Sequence, residues 1–235
     1  MGFPHCKRLA GLILACVLLL ASCASTTHRD AVDHAEGLKM ADGYTLIGKK
    51  DLLRDYPPTD SNGNINVVVE MPAGTNAKWE VDKANGQLRW EFKQGKPRIV
   101  AYLGYPGNYG MIPKTILPKE QGGDGDPLDV IVLAPAVPRG SVVGARPIGV
   151  LKLLDGGEQD DKIIAVLPDA PLGGVTGLEE LQREFKGITT ILEIWFSNYK
   201  GPGKMESKGF AGAAEARDII NEAVADYEER FSTVP

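Results

Sequence analysis

The feature that most constrains the fold is a change in the spacing of apolar residues along the chain. Up to about residue 167 they form short β-branched runs, which predict strands at Ile65–Met71, 142–153 and 162–167. Beyond that point they recur at helical spacing. Strands followed by helices, rather than alternating with them, predict an α+β fold.

The predicted strands are short and closely spaced. Segments 78–82 and 87–92 alternate apolar and polar residues around Asn85-Gly86, a strong hairpin signal. With the run at 130–133, about six strands precede the first helix, although Pro147 interrupts one of them. This pattern predicts a small closed sheet, either a barrel or a sandwich.

Three helices are predicted in the C-terminal third. Thr176 and Glu179 have the spacing of a capping box before a helix at 178–185. A second helix at 188–199 is ended by Gly201-Pro202-Gly203. The third covers about 211–231 and buries Ala216, Ile219, Ile220, Ala223, Val224 and Tyr227.

The N-terminus has the pattern of an export signal. Lys7 and Arg8 precede an uncharged apolar run at 9–21, too short for a bilayer core of about 30 Å but typical of a signal peptide. The sequence LASC at 20–23 resembles a bacterial lipobox. We therefore expect a signal peptide at 1–22 and a lipid anchor at Cys23; an ordinary secretory signal with an incidental cysteine is the alternative.

The remaining chain divides into two parts. Residues 23–55 are polar and weakly periodic, which predicts a tether, and 56–235 form one domain. Ala24, rather than Asp, follows the lipobox cysteine, which favours an outer membrane facing the periplasm in a cell that has one. All three cysteines lie in the first 23 residues, so the domain has no disulfide, thiolate zinc site or catalytic cysteine.

A carboxylate cluster carries the chemistry. The net charge of −5 argues against a nucleic-acid partner and for a cation. The motif DGDPLD places Asp124, Asp126 and Asp129 within six residues, where they cannot all ionise cheaply without a cation. Oxygen-only ligands favour Mg²⁺, Mn²⁺ or Ca²⁺. A solvated turn leading into a strand is the alternative.

A second acidic group follows the strand that ends near Leu154. If it faces the first group, the two could hold more than one metal; alternatively it is a charged surface hairpin. It contains Asp155, Glu158, Asp160 and Asp161.

Several cationic and phenolic side chains are of the types that hold phosphate. Each also has a structural explanation, as a surface cation or a packed tyrosine. They are Lys78, Arg98, Tyr105, Tyr109, Tyr199 and Lys200, with Glu80 alternating beside Lys78.

Five separated motifs together resemble the soluble, family I inorganic pyrophosphatases. They are E-x-P-A at 70–73, KWEVDK at 78–83, YPGNYG at 105–110, DGDPLD at 124–129 and D-x4-D-x-K at 155–162. The resemblance extends from about residue 66 to 227. It implies an OB-like, five-stranded closed barrel with flanking C-terminal helices, and hydrolysis of pyrophosphate with several Mg²⁺ ions, or Mn²⁺ or another divalent ion. Such proteins are commonly homo-oligomers.

The resemblance also implies a role for each matched residue. Asp126 is implied as the base that activates water, and Asp124, Asp129, Asp155 and Asp160 as metal ligands. The implied substrate-binding residues are Lys78, Arg98, Tyr109, Lys162, Tyr199 and Lys200, and the implied site-lining residues are Glu70, Glu80 and Tyr105.

The chain departs from the family pattern near the second acidic group, where Asp155-Gly156 stands in place of the usual Asp-Glu. A non-catalytic lipoprotein that binds metal or phosphate and keeps the fold is therefore the competing hypothesis. A different phosphohydrolase and a purely structural envelope lipoprotein are further alternatives. Asp126 argues against a simple binding protein, because a binder has little need of it between two ligand aspartates.

Overall fold

The computed structural model describes residues 1–2, 33–34 and 37–232. Residues 3–22 of the predicted signal peptide and the predicted lipidation site, Cys23, lie outside the described residues. In the described part of the chain, no helix combines the length and the apolar character needed to cross a membrane.

Strands dominate the described chain, and its α-helices all follow residue 177. The strands are β1 Asp33–His34, β2 Lys39–Asp42, β3 Thr45–Ile47, β4 Ile65–Met71, β5 Trp79–Val81, β6 Leu88–Trp90, β7 Phe92–Lys93, β8 Lys96–Pro97, β9 Asn108–Met111, β10 Asp129–Leu133, β11 Ser141–Asp155, β12 Glu158–Gln159, β13 Lys162–Val166 and β14 Met205–Gly212. A 3-10 helix covers Lys119–Gln121, and the α-helices are α1 Leu178–Glu184, α2 Ile188–Asn198 and α3 Ala213–Ser232.

The main sheet is built around the long strand β11. Residues 142–145 pair with β4, 146–151 with β13 and 149–155 with β14, and the register with β13 shifts between Pro147 and Gly149. Pro147 therefore bends the strand instead of ending it, because a bulge tolerates the missing N–H. From β13 the pairings continue through β10 and β9 to β4, and so return to β11.

Alternate residues of the central strands face two separate cores. Val130 and Val132 of β10 belong to the cluster packed under α3, whereas Ile131 and Leu133 belong to the cluster packed under α2. Because both faces of β10 are covered by helices, its sequence from Val130 to Leu133 is an unbroken run of apolar residues instead of an alternation of apolar and polar ones. The α+β class, with sheet first and helices last, is confirmed.

The described fold begins before the predicted domain boundary at residue 56. Strands β2 and β3 add to the β5–β6 hairpin in the order β2-β3-β6-β5. Leu52 and Leu53 are buried against Trp79 and Val81 of β5. Part of the segment predicted as a tether thus packs on the hairpin, although its isolated apolar side chains show no period in the sequence.

The three predicted helices are confirmed, with two local corrections. Helix α1 begins at Leu178, so the acidic residue of its first turn that reaches back to Thr176 is Glu180, not Glu179. The Glu180 carboxylate accepts hydrogen bonds from the Thr176 N–H and hydroxyl, both at 2.8 Å. Strand β14 was not predicted, because its small and polar residues lack a strand pattern; it is held by pairing with β11.

Candidate active site

A cavity of about 250 Å³ opens at one edge of the main sheet. It is lined by Glu70, Lys78, Glu80, Val81, Lys83, Arg98, Tyr109, Met111, Asp124, Asp126, Pro127, Asp129, Asp160, Tyr199 and Lys200. Most of the residues singled out from the sequence are in this lining. Asp155, Lys162 and Tyr105 are not, but each contacts a lining residue. Glu158 and Asp161 of the second acidic group are also outside the lining, and the Asp161 carboxylate accepts hydrogen bonds from the Leu153 N–H and the Gln159 side chain.

The parallel pair of β10 and β13 explains why the two acidic groups meet. Asp129 and Lys162 are register partners at the starting ends of these strands. The segments that enter them, with Asp124 and Asp126 before β10 and Asp160 before β13, therefore reach the same edge of the sheet. The proximity expected for the two acidic groups follows from this pairing.

The first acidic loop is held by its own backbone. Asp124 accepts a hydrogen bond from the Asp126 N–H at 2.8 Å across Gly125, which has φ of +81°. A turn of this hand suits glycine, which has no Cβ to clash. Burial raises the pKa of Asp124 to about 6, and the charges of Asp126 and Asp129 add to this effect.

Lys162 joins the two acidic segments beneath the cavity. Its side chain is buried, and its ammonium group donates hydrogen bonds to Asp129 at 2.6 Å and to Asp160. Burial lowers the pKa of Lys162, but the two carboxylates outweigh it and hold that pKa above its ordinary value. Lys162 therefore remains a permanent positive charge between the aspartates.

The lining also contains a buried carboxyl group, Glu70, and an ammonium group, Lys78. Glu70 is buried, and its carboxyl accepts the Val81 N–H at 2.7 Å. Burial raises the pKa of Glu70 to about 8, in spite of the nearby Lys78. Lys78 forms an ion pair with Glu80 at 2.8 Å, and its Nζ lies 5.3 Å from the centre of the Tyr109 ring.

An aromatic cluster supports the tyrosines of the site. Trp195 of α2 stacks on Tyr199, with ring centres 4.7 Å apart, and the Tyr105 and Tyr109 rings lie 5.0 Å apart. Burial raises the pKa of Tyr109 well above its ordinary value. Its hydroxyl therefore stays protonated and can donate a hydrogen bond.

The remaining cations of the site each contact a carboxylate. Arg98 donates to Glu91 at 2.6 Å, and Lys200 donates to Asp155. These pairs place cationic groups that a polyanionic ligand could recruit.

The chemistry of the donor set fits a hard cation, although lysine side chains stand among the carboxylates. Over residues 37–232, no three acidic, histidine or cysteine side chains converge into a ready cage for a metal ion. However, one carboxylate oxygen of Asp160 is buried without a hydrogen-bond partner, and the Lys200 ammonium group lies 3.8 Å from it, beyond hydrogen-bond distance. The lining also has six carboxyl groups against four cationic side chains. A bound Mg²⁺ ion would coordinate a buried oxygen that lacks a hydrogen bond and would balance the excess negative charge of the lining.

Four lining residues were missed by the sequence analysis as site residues. Val81, Met111 and Pro127 are apolar parts of the wall, and Lys83 contacts Asp126. Lys83 ends the KWEVDK motif, which is the signal by which the sequence could have marked it.

Acidic oxygens and lysine, arginine and tyrosine donors that line one cavity define a site for a multivalent phosphate anion together with hard cations. Comparison with known proteins agrees. The family described as inorganic pyrophosphatase matches residues 67–228. The chain belongs to this family.

Individual relatives support the assignment. An inorganic pyrophosphatase of Gluconobacter oxydans is 39% identical over 182 residues, covering 74% of this chain and 98% of that protein. Soluble inorganic pyrophosphatase 2 of Chlamydomonas reinhardtii is 35% identical over 194 residues, covering 75% of this chain and 87% of that protein. The crystal structure of the type I inorganic pyrophosphatase from Toxoplasma gondii superposes with a TM-score of 0.76 at 26% identity, covering 85% of this chain and 98% of that one.

Proposed function

We propose that this chain hydrolyses inorganic pyrophosphate to two phosphates. The observation that carries the proposal is the single cavity in which the Asp124–Asp129 loop faces Lys78, Arg98 and Lys200. Membership of the inorganic pyrophosphatase family supports it. This site combines groups for binding a polyanion with a half-exposed carboxylate that is open to solvent.

Asp124, Asp129, Asp155 and Asp160 would hold the divalent ions, with Glu70 and Glu80 contributing through water. Bound Mg²⁺ ions neutralise the charge of pyrophosphate and make bound water more acidic. Mg²⁺ is proposed because the donors are all oxygens; Mn²⁺ or another divalent ion of similar preference fits the same set.

Asp126 acts as the general base. Its carboxylate takes a proton from the attacking water, the water oxygen bonds to one phosphorus, and the bridging P–O bond breaks. Lys78, Arg98 and Lys200 stabilise the charge of the departing phosphate, and the hydroxyls of Tyr109 and Tyr199 donate to it. Lys162 holds the aspartates in register beneath the substrate, and Tyr105 supports the tyrosines.

The fold proposed for this site is an OB-like, five-stranded closed barrel. It is supported by the cyclic pairing of β4, β9, β10, β13 and β11. Assembly into a homo-oligomer is proposed from the family alone.

Export and lipid anchoring at Cys23 are proposed from the sequence of residues 1–23. The protein would then be anchored to a bacterial membrane, which in a cell with an outer membrane would be that membrane on its periplasmic side, and would release phosphate from external pyrophosphate. Fatty-acid labelling of the intact chain beside a Cys23→Ala variant tests this, and equal labelling of the two would contradict it.

Phosphate release from pyrophosphate by residues 24–235 tests the function. Turnover should require Mg²⁺ and stop with EDTA, and Asp126→Asn should lower kcat by about 100-fold or more, the range expected for a general base. Asp169→Asn, at an exposed position outside the cavity, is the matched control. A folded chain that binds Mg²⁺ without turnover would instead support the binding lipoprotein.

A further inference from the structure

We infer that Lys83 is a positioning residue for Asp126, and that the segment 51–54 holds Lys83 in place. This inference rests on the proposed role of Asp126 as base. Lys83 lies in the turn between β5 and β6, yet its ammonium group crosses the mouth of the cavity and donates to the Asp126 carboxylate. The two residues are 43 positions apart, so only the tertiary fold brings them together.

Asp126 needs such a partner because its side chain is poorly enclosed. It is 51% exposed, in contrast to the buried Asp160. Lys83 is the hydrogen-bond donor that residues 37–232 supply to this carboxylate. A base that is free to rotate spends less time within reach of the attacking water, and small misplacements lower the rate strongly.

The turn that carries Lys83 is built to be rigid. The Asp82 side chain accepts the Ala84 N–H at 2.9 Å, and the Asp82 carbonyl accepts the Gly86 N–H at 2.7 Å. Arg89 also donates to Asp82, at 3.1 Å. The lysine backbone is therefore fixed on both sides of its attachment point.

A second segment of the chain fastens this turn from outside. Arg54 donates to the Lys83 carbonyl, and the Leu52 N–H donates to the Gly86 carbonyl at 3.1 Å. Arg54 is itself held by Asp51 at 2.7 Å. Residues 51–54 lie before the region that matches the family, which begins at residue 67. Residues 51–54 are thus linked to the proposed general base, Asp126, by the contacts of Arg54 with Lys83 and of Lys83 with Asp126.

A contribution to stability does not explain this contact. Both partners of the Lys83–Asp126 pair are more than half exposed, at 57% and 51%. Exposed ion pairs contribute little to folding, because water screens them and two flexible side chains must be ordered. The orientation of the carboxylate is what the pair can change.

The test compares Lys83→Met and Lys83→Arg with Lys93→Met, a change at an exposed lysine of the β7–β8 hairpin that does not line the cavity. We expect Lys83→Met to lower kcat about 10-fold with KM for Mg²⁺-pyrophosphate changed less than about twofold. Lys83→Arg should recover most of the loss, and Lys93→Met should match the unchanged chain.

Mg²⁺ binding measured by calorimetry without substrate gives a readout independent of turnover. Removing the ammonium group should tighten Mg²⁺ binding by about 1.5- to 5-fold, the range expected for losing one exposed ion pair, and Lys93→Met should not. Arg54→Met should lower kcat less than Lys83→Met does, and the double variant should fall no further than Lys83→Met, since both act through one contact.

Two results would overturn the inference. One is a Lys83→Met protein with unchanged kcat and unchanged Mg²⁺ affinity, in which the pair has no role. The other is a raised KM with unchanged kcat, which would make Lys83 a substrate ligand. Asp126→Asn measured alongside separates the two proposals: if it retains full activity, the role of Asp126 as base fails first.

Discussion

Glu70 shows how strongly one buried residue can respond to its surroundings. Its carboxyl is largely buried where it lines the cavity and accepts a single backbone N–H, and burial raises its pKa to about 8, against an ordinary value of 4.5. The metal-free folded chain therefore keeps a proton at Glu70 over a pH range in which the unfolded chain has released it.

The sign of the effect on stability follows from this difference. The folded state binds the Glu70 proton more tightly than the unfolded state does. The stabilisation that this proton gives the folded state is therefore fully present below about pH 4.5 and is lost as the pH rises through about 8. In EDTA, the contribution of Glu70 to the free energy of unfolding should therefore fall between pH 5 and pH 8, by up to about 1.4 kcal/mol per pH unit.

Urea unfolding of the unchanged chain beside Glu70→Gln measures this contribution. Glutamine can still accept the Val81 N–H but cannot ionise, so the variant should lose less stability over the same range. Asp124, with a pKa raised to about 6, adds the same slope to both proteins and cancels in the comparison. Parallel pH profiles for the two proteins would show that Glu70 titrates normally.

At the scale of elements, the site depends on how closely β9 approaches β4. Gly110 is a residue of β9 and the register partner of Val69 in β4, and a Cβ on it would lie 1.8 Å from the Val68 carbonyl oxygen. The atoms nearest to the added Cβ are backbone atoms of Val68 and Val69, so no flexible side chain can move aside to make room for it. The close approach carries Tyr109 of β9 into the cavity wall beside Lys78.

Gly110→Ala should therefore destabilise the protein by about 3 kcal/mol or more, at the upper end of the range for overpacking. Gly212→Ala is the matched control, because that glycine lies at the end of β14 with no atom within 4 Å of the added Cβ. The control should be neutral or slightly stabilising. Urea unfolding measures the stability of both variants, and equal unfolding midpoints would contradict the predicted steric clash.

At the scale of the whole molecule, the segment before residue 56 is part of the folded unit. Leu52 is 1% exposed and belongs to the cluster that also contains Trp79 and Val81 of the site-bearing strand β5. The segment therefore supports the wall of the cavity and the turn that carries Lys83.

Leu52→Ala should lower the free energy of unfolding by about 2–5 kcal/mol, because it leaves a cavity in this cluster. Leu103→Ala is the control, since Leu103 is 73% exposed and its truncation should change stability by less than about 0.5 kcal/mol. Thermal or urea unfolding measures both. A Leu52→Ala protein as stable as the control would restore the interpretation of residues 23–55 as a tether.

Local sequence was sufficient wherever the chemistry lies within a few consecutive residues. The β-branched run of β4, the Asn85-Gly86 turn and the helical spacing of α2 each depend on interactions a few residues apart, and all three were predicted. The DGDPLD loop by itself left a solvated turn as the alternative, and its assignment to the site came from the resemblance carried by five separated motifs.

Tertiary structure decided what depends on distant partners. Strand β14 has no strand pattern of its own and forms only because β11 offers it a partner. Leu52 is buried only because the β5–β6 hairpin covers it. Lys83 reaches Asp126 only when that hairpin folds over the cavity. The residue types of the site were thus determined by the sequence, since charge and hydrogen-bonding capacity are local properties. Their contacts were decided by the fold, because a contact requires two surfaces that the chain brings together only on folding.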